Sequence, residues 1–168
     1  MNFKVAGIDP GRNIGISIFE GEKLQLFDSL KISQKFPESI YEAMTKLKIA
    51  LRGAGIDYFA VEAPQPRQFE QRAKRESILK LAFLTGGIIA SCWQNDPAGV
   101  TVIYPHEHKG PERNPVTINR INRHFNIKVN NDHEANAISV GWCMVRELQF
   151  KEKAGQWSNR LRFLKNGS

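Results

Sequence analysis

Three short apolar segments in the first 30 residues, separated only by tight turns, constrain this chain more than anything that follows. Phe3 to Asp9 is an apolar run ending in an Asp-Pro-Gly turn. Asn13 to Phe19 alternates through Ile14, Ile16 and Ile18, and Leu24 to Leu30 follows a turn at Gly21. Runs of this length and period predict strands. Connections too short for a crossover predict an antiparallel meander. The period then changes. Ile40, Met44, Leu47 and Leu51 recur at helical spacing up to the Gly53 and Gly55 stop, and Tyr58 to Glu62 is a short apolar strand with an acid at its carboxyl end. A long apolar helix is expected from about Ser77 to Trp93, a strand over Val100 to Tyr104, and a Pro/His/Lys/Gly loop over 105–115. Ile118, Ile121 and Phe125 predict a short helix, and the last helix is expected from Asp132 to about Phe150. The order βββ-α-β-α-β-α-α implies an α/β fold with a mixed sheet flanked by helices. Residues 1–150 read as one domain and 151–168 as a basic tail.

The chain has 168 residues, enough for one core that buries roughly 70% of its unfolded surface without disulfide or metal support. Hydrophobic residues at 41% and charged residues at 24% exclude a disordered chain. No apolar run approaches the roughly 18 residues of a membrane span, so no membrane partner is expected. The two cysteines, Cys92 and Cys143, form no CxxC, which argues against a disulfide scaffold or thiolate zinc site and fits a cytoplasmic location. A net charge of +7 favours a polyanionic partner, nucleic acid above all.

Acidic residues fall where strands end or helices begin. Asp9 closes the first strand and Glu62 the fourth, and Asp132-His133-Glu134-Ala135-Asn136 opens the last helix. Ligand sites in open α/β sheets gather at strand carboxyl ends. If strands one and four pair, the two carboxylates converge. His133 and Asn136, or Asp132 and Asn136, then offer donors from one helical face. Such oxygen donors suit Mg2+. Two ions about 3.5–4 Å apart can activate water and stabilise the leaving oxygen of a phosphodiester. The plainer account makes Asp9 part of a turn and Asp132 a helix N-cap. Glu62, between Val61 and Ala63, fits the plain account least.

Gly7-Ile8-Asp9-Pro10-Gly11 with Gly15, then Glu62 in AVEAPQ, the apolar segment Ser77 to Ala90, and His133-Glu134-Ala135-Asn136-Ala137-Ile138 together resemble the RuvC-like Holliday-junction resolvases of the RNase H-like superfamily. The resemblance spans Phe3 to Val145, and the compact length suits a phage-type member. It implies an RNase H-like mixed sheet, a homodimer, four-way or branched DNA as partner and substrate, and Mg2+ or Mn2+ as cofactor. It also implies location in a bacterial or phage-infected cell. Asp9, Glu62, His133 and Asn136 match the four metal-binding and catalytic positions. At the last of these the family places Asp, so Asn136 is a departure. An amide oxygen coordinates without charge, and two unit charges about 4 Å apart interact by about 4 kcal/mol at an effective dielectric near 20. Three explanations stand: Asn136 is an introduced change that traps an uncut complex, Asp132 supplies the missing carboxylate, or the protein binds junctions without cutting them. An RNase H-like nuclease acting on RNA or RNA–DNA hybrids is a further alternative. A sugar-kinase type ATPase would need two lobes, for which the chain is too short.

Arg67, Arg72, Lys74, Arg75 and Lys80 follow Glu62 closely and are expected to contact phosphate. Phe69 among them is a candidate to stack on an unpaired base, worth about 1–3 kcal/mol. The resemblance places an aromatic wedge near this point, and DNA-contacting lysines in the loop that here carries Lys109 and Arg113. Arg120 and Arg123 extend that second basic set. His106 and His108 would share a face on a strand, but no third ligand accompanies them, so a phosphate contact or no role is expected. The Ser77 to Trp93 helix, apolar nearly all round, is expected to be buried in the core or in a dimer contact, with Gly86 and Gly87 allowing close packing.

Overall fold

The central strand of the sheet is buried on both faces, and everything that positions the acidic residues follows from that. The structure, a computed structural model, describes residues 3–64, 72–109 and 114–154. Five strands, β1 (Lys4–Asp9), β2 (Asn13–Glu20), β3 (Lys23–Lys31), β4 (Tyr58–Glu62) and β5 (Gly99–Ile103), form one sheet in the order β3-β2-β1-β4-β5. The meander β1-β2-β3 is antiparallel; β1 with β4 and β4 with β5 are parallel. The mixed sheet expected from the strand pattern is therefore present, with strands one and four paired.

Because successive side chains leave a strand on opposite faces, the sheet builds two cores. Ala6, Ile8, Ile14, Ile16, Phe59, Val61 and Val100 face two helices, α1 (Glu38–Ala50) and α2 (Arg72–Trp93). Val5, Phe19, Ala60 and Ile103 face α4 (Asn114–Phe125) and α5 (Asp132–Ala154). A one-turn helix, α3 (Pro105–His108), stands where a loop was predicted. Pro105 at its first position is pre-organised for a helix. The Tyr104 backbone N–H donates to the Glu107 carboxylate at 2.7 Å. The last helix continues past position 150, to Ala154.

The meeting of α5 with the sheet is unusually close. A Cβ on Gly7 would lie 2.3 Å from the Ala137 carbonyl oxygen, and one on Gly15 would lie 2.0 Å from that of His133. Gly141 removes the matching side chain from the helix, where a Cβ would come within 2.8 Å of Phe19 and Ser17. Ser17 Oγ donates to the Ala137 carbonyl at 2.8 Å, tying the helix down at the same place.

The helix α2 differs from expectation. It begins at Arg72, five residues early, and only one side is buried. Leu84, Ile88 and Cys92 enter the core, while Leu79 and Phe83 are 60% and 61% exposed. The sheet face is shared with α1, so the outer side of this largely apolar helix is left uncovered. Gly87 does permit close packing, since a Cβ there would meet Ile40 at 2.6 Å, but Gly86 faces open space. By length and composition alone Arg75–Trp93 could cross a membrane, although no uninterrupted apolar run in it is that long. Its buried residues here join the α1 and sheet core.

Candidate active site

Asp9 and Glu62 are the terminal residues of adjacent parallel strands. The register pairs Ile8 with Val61, which places the two acids side by side one residue further on. Both alternate onto the α5 face, and both are buried, at 7% and 8% exposure. Burial is the largest influence on Asp9. Together with the neighbouring Glu62 charge it pushes the carboxyl up to about 6, against the lowering effect of His133.

The start of α5 delivers the next two residues. Asn131 caps it: its Oδ1 accepts from the Glu134 N–H at 2.9 Å, and its Nδ2 donates to Glu134 Oε1 at 2.6 Å. This reciprocal arrangement resembles a capping box, so the cap is Asn131 rather than Asp132. With the helix start fixed there and its first turns pressed onto Gly15 and Gly7, His133 and Asn136 meet Asp9. His133 Nδ1 lies 3.1 Å from Asp9 Oδ2, and Asn136 Nδ2 donates to the same oxygen at 3.4 Å. The hydrogen bond to Asp9 raises the His133 pKa above its ordinary value. Asp132 lies on the outer side of that ring, its Oδ1 3.9 Å from His133 Nε2.

Glu62 receives a different set of partners. Residue Glu62 is in register with Ile103, and the Ala63 N–H donates to the Ile103 carbonyl at 2.9 Å, so α3 falls directly beside Glu62. Lys109 Nζ is 3.1 Å from Glu62 Oε1, and His108 Nε2 is 3.5 Å from Oε2. The carboxyl sits below its ordinary value: burial raises it, but His108 and Lys109 together outweigh burial. His108, for which a phosphate contact or no role was expected, instead faces Glu62. The one-turn helix separates it from His106, which stacks on Tyr104, and turns it into the interior. Arg120, counted in the second basic set, reaches inward. Its Nη2 donates to the His108 carbonyl at 2.9 Å, and Ser139 Oγ donates to that oxygen at 3.0 Å.

Among the described residues no three His, Cys, Asp or Glu side chains are grouped to hold one metal ion. Donors do stand in pairs, Asp9 with His133 and Glu62 with His108. Three acceptor-capable side chains of this cluster hold buried atoms without hydrogen-bond partners: Glu62 Oε2, Asn136 Oδ1 and the His108 ring nitrogens. Buried polar atoms are nearly always paired, and those left over here are of the types that ligate divalent cations. The residues therefore fit a cation.

Of the expected nucleic-acid contacts, Arg67, Phe69 and Arg113 lie outside the described residues, as do the side chains of Arg72 and Lys74. Arg75 is exposed on α2, and Lys80 is exposed in an ion pair with Glu76 at 2.6 Å. Lys109, expected on DNA, makes its ion pair with Glu62.

No protein-family model matches the chain, and a search of curated proteins gives no match. Solved structures do match. Thermus thermophilus RuvC superposes with a TM-score of 0.68 at 17% identity, over 91% of this chain and 97% of that one. The same protein in complex with a Holliday-junction substrate gives 0.69 at 18% identity, over 91% and 96%. The yeast mitochondrial Holliday-junction resolvase gives 0.60 at 13% identity, over 92% and 82%. With its mixed five-stranded sheet between helices, this chain has the RNase H-like fold of the RuvC-type resolvases.

Proposed function

We propose that the protein is a structure-selective endodeoxyribonuclease that resolves four-way or branched DNA by metal-dependent phosphodiester hydrolysis, acting as a homodimer. The observation that carries this reading is the convergence of Asp9 and Glu62, from adjacent parallel strand ends, with His133 and Asn136 from the α5 start. Likeness in fold to proteins described as Holliday-junction resolvases, one in complex with its substrate, supports the choice of nucleic acid.

Asp9, Glu62, His133 and Asn136 would hold Mg2+ or Mn2+, with Asp132 behind His133. Bound there, the ion supplies charge neutralisation and activation of water for attack on a phosphodiester. The chain's own groups do the rest. His133 shares a hydrogen bond with Asp9, which keeps Nδ1 engaged and leaves Nε2 on the Asp132 side either to ligate the ion or, in its place, to hold or move a proton. Lys109 brings a positive charge to the Glu62 end of the site, where a phosphate would enter. Arg67, Arg72, Lys74, Arg75, Lys80 and Arg113 would grip the flanking backbone, with Phe69 stacking on an unpaired base. The uncovered apolar side of α2, with Leu79 and Phe83, supports a second copy as partner.

A second reading, a protein that binds junctions without cutting them, draws on Asn136, whose amide meets Asp9 without adding charge. One gel shift and cleavage series separates the two. A synthetic four-way junction and a linear duplex are compared with and without Mg2+ or Mn2+, using the native protein and Asp9→Ala. Cutting of the junction that needs metal and disappears in Asp9→Ala, with junction binding retained, is the expected outcome. Binding without cutting would favour the second reading. Equal treatment of junction and duplex would overturn both.

A further inference from the structure

The His108 side chain is fully shielded from solvent, and neither of its ring nitrogens has a hydrogen-bond partner. An imidazole buried in that condition is destabilising, by about 1–3 kcal/mol for each unsatisfied group. Its position is nevertheless firmly built. The His108 carbonyl is held by Arg120 from α4 and Ser139 from α5, and the α3 turn that carries it is set by the parallel pairing of β5 with β4. Nε2 lies 3.5 Å from Glu62 Oε2, and that oxygen is also buried without a hydrogen-bond partner. Two donors on one ion, each at about 2.0–2.2 Å, lie about 3.0–3.5 Å apart. The observed separation is long for a hydrogen bond and right for two ligands sharing a cation.

We propose that His108 is a metal ligand of this centre, acting with Glu62. The centre then carries an imidazole beside each carboxylate, His133 at Asp9 and His108 at Glu62. The consequence is metal choice. Mg2+ prefers oxygen ligands and retained waters, whereas imidazole suits first-row transition ions, so the protein takes Mn2+ in preference to Mg2+. This inference rests on the proposed metal-dependent reading of the site, and deepens it by naming a ligand and the ion it selects.

The test is electron spin-echo spectroscopy of Mn2+ bound to the full chain, grown with natural or 15N-labelled histidine. It is performed on the native protein, His133→Ala, His108→Gln and the double variant, alongside Mn2+ and Mg2+ competition binding. Histidine-nitrogen coupling is expected to persist in His133→Ala and to vanish in the double variant. The preference for Mn2+ over Mg2+ is expected to fall at least about tenfold in His108→Gln, since losing even an outer-shell partner of a ligand costs about 10–100-fold in affinity. Mn2+ that binds His133→Ala without any histidine coupling would overturn the role of His108 while leaving the metal-dependent reading intact. Absence of Mn2+ binding to the native protein would overturn both. The native and His133→Ala spectra decide the matter even if His108→Gln fails to fold.

Discussion

Asn136 donates its amide hydrogen to Asp9 Oδ2 across 3.4 Å and keeps its own carbonyl oxygen buried without a partner. The amide thus lets two buried side chains meet without a second negative charge. Replacing it, Asn136→Asp, sets a carboxylate against Asp9 and leaves the pair dependent on a cation. Metal affinity is expected to rise at least about tenfold, since even half of the roughly 4 kcal/mol Coulomb term exceeds the roughly 1.4 kcal/mol of one decade. Without metal the variant is expected to lose about 1–3 kcal/mol of stability. Calorimetric titration with Mn2+ and urea unfolding in chelator measure the two effects. An unchanged affinity would remove Asn136 from the metal-binding set.

The raised pKa of Asp9 makes a signed statement about pH. In the folded protein the carboxyl titrates at about 6 because burial disfavours its charge, against an ordinary 3.8. Between those values the folded state holds the proton that the unfolded state has released, so stability falls as pH rises and has been lost in full above 6. The size is of order 3 kcal/mol. His133, raised by its bond to Asp9, acts in the same direction at higher pH: its contribution is complete below 6.5 and disappears as pH rises through its folded value. Glu62, lowered, contributes stability above 4.5 that is lost as pH falls through its folded value. Urea unfolding in chelator from pH 4.5 to 7.5 is expected to show declining stability with rising pH, flattened in Asp9→Asn. A rising curve would contradict the burial assigned to Asp9.

Gly15→Ala tests the close seat of α5. The new Cβ would stand 2.0 Å from the His133 carbonyl oxygen, which is backbone and cannot rotate aside. Overpacking of this kind costs about 1–3 kcal/mol or more. Because the displaced segment carries His133, metal binding is expected to weaken together with stability. Gly21→Ala, placed in a turn with open space around it, should leave metal binding unchanged and cost only the strain of its φ of 56°. Equal metal affinity in Gly15→Ala and native protein would sever the link between the glycine seat and the site.

The exposed side of α2 gives a separate test. Leu79 and Phe83 lie one helical turn apart, and the Phe83 ring stands 5.9 Å from that of Phe36. Leu79→Glu with Phe83→Glu is expected to convert a dimer into a monomer in sedimentation analysis. Leu79 is exposed and Phe83 loses only its ring contact with Phe36, worth about 0.5–1.5 kcal/mol, so unfolding of the monomer should move by no more than that. A native protein that sediments as a monomer at micromolar concentration would remove the homodimer.

Local periodicity was enough to read the meander, the strand that ends in Glu62 and the helix that begins at Asp132. Each of those depends on neighbours within a few residues. The one-turn helix α3 was missed because Tyr104 to His108 has too few residues for a period to emerge, and its Pro and His content resembles a loop. How much of α2 the chain's own core covers was not legible for another reason. An all-apolar helix reports its own preference, whereas the area available to cover it depends on how α1 shares the same sheet face.

The sequence by itself determined which residues lie at strand ends and helix starts, since hydrophobic period and turn chemistry act along the chain. It therefore determined that Asp9, Glu62, His133 and Asn136 were the residues to follow. Only the tertiary structure decided what each of them faces. The pairing of Ile8 with Val61, and the glycine-lined seat of α5, bring His133 and Asn136 onto Asp9. The pairing of Glu62 with Ile103 brings His108 and Lys109 onto Glu62. Such side-chain contacts join residues 46 to 127 positions apart. They are fixed by strand register and helix seating, quantities that belong to the packed sheet and have no local signature in the chain.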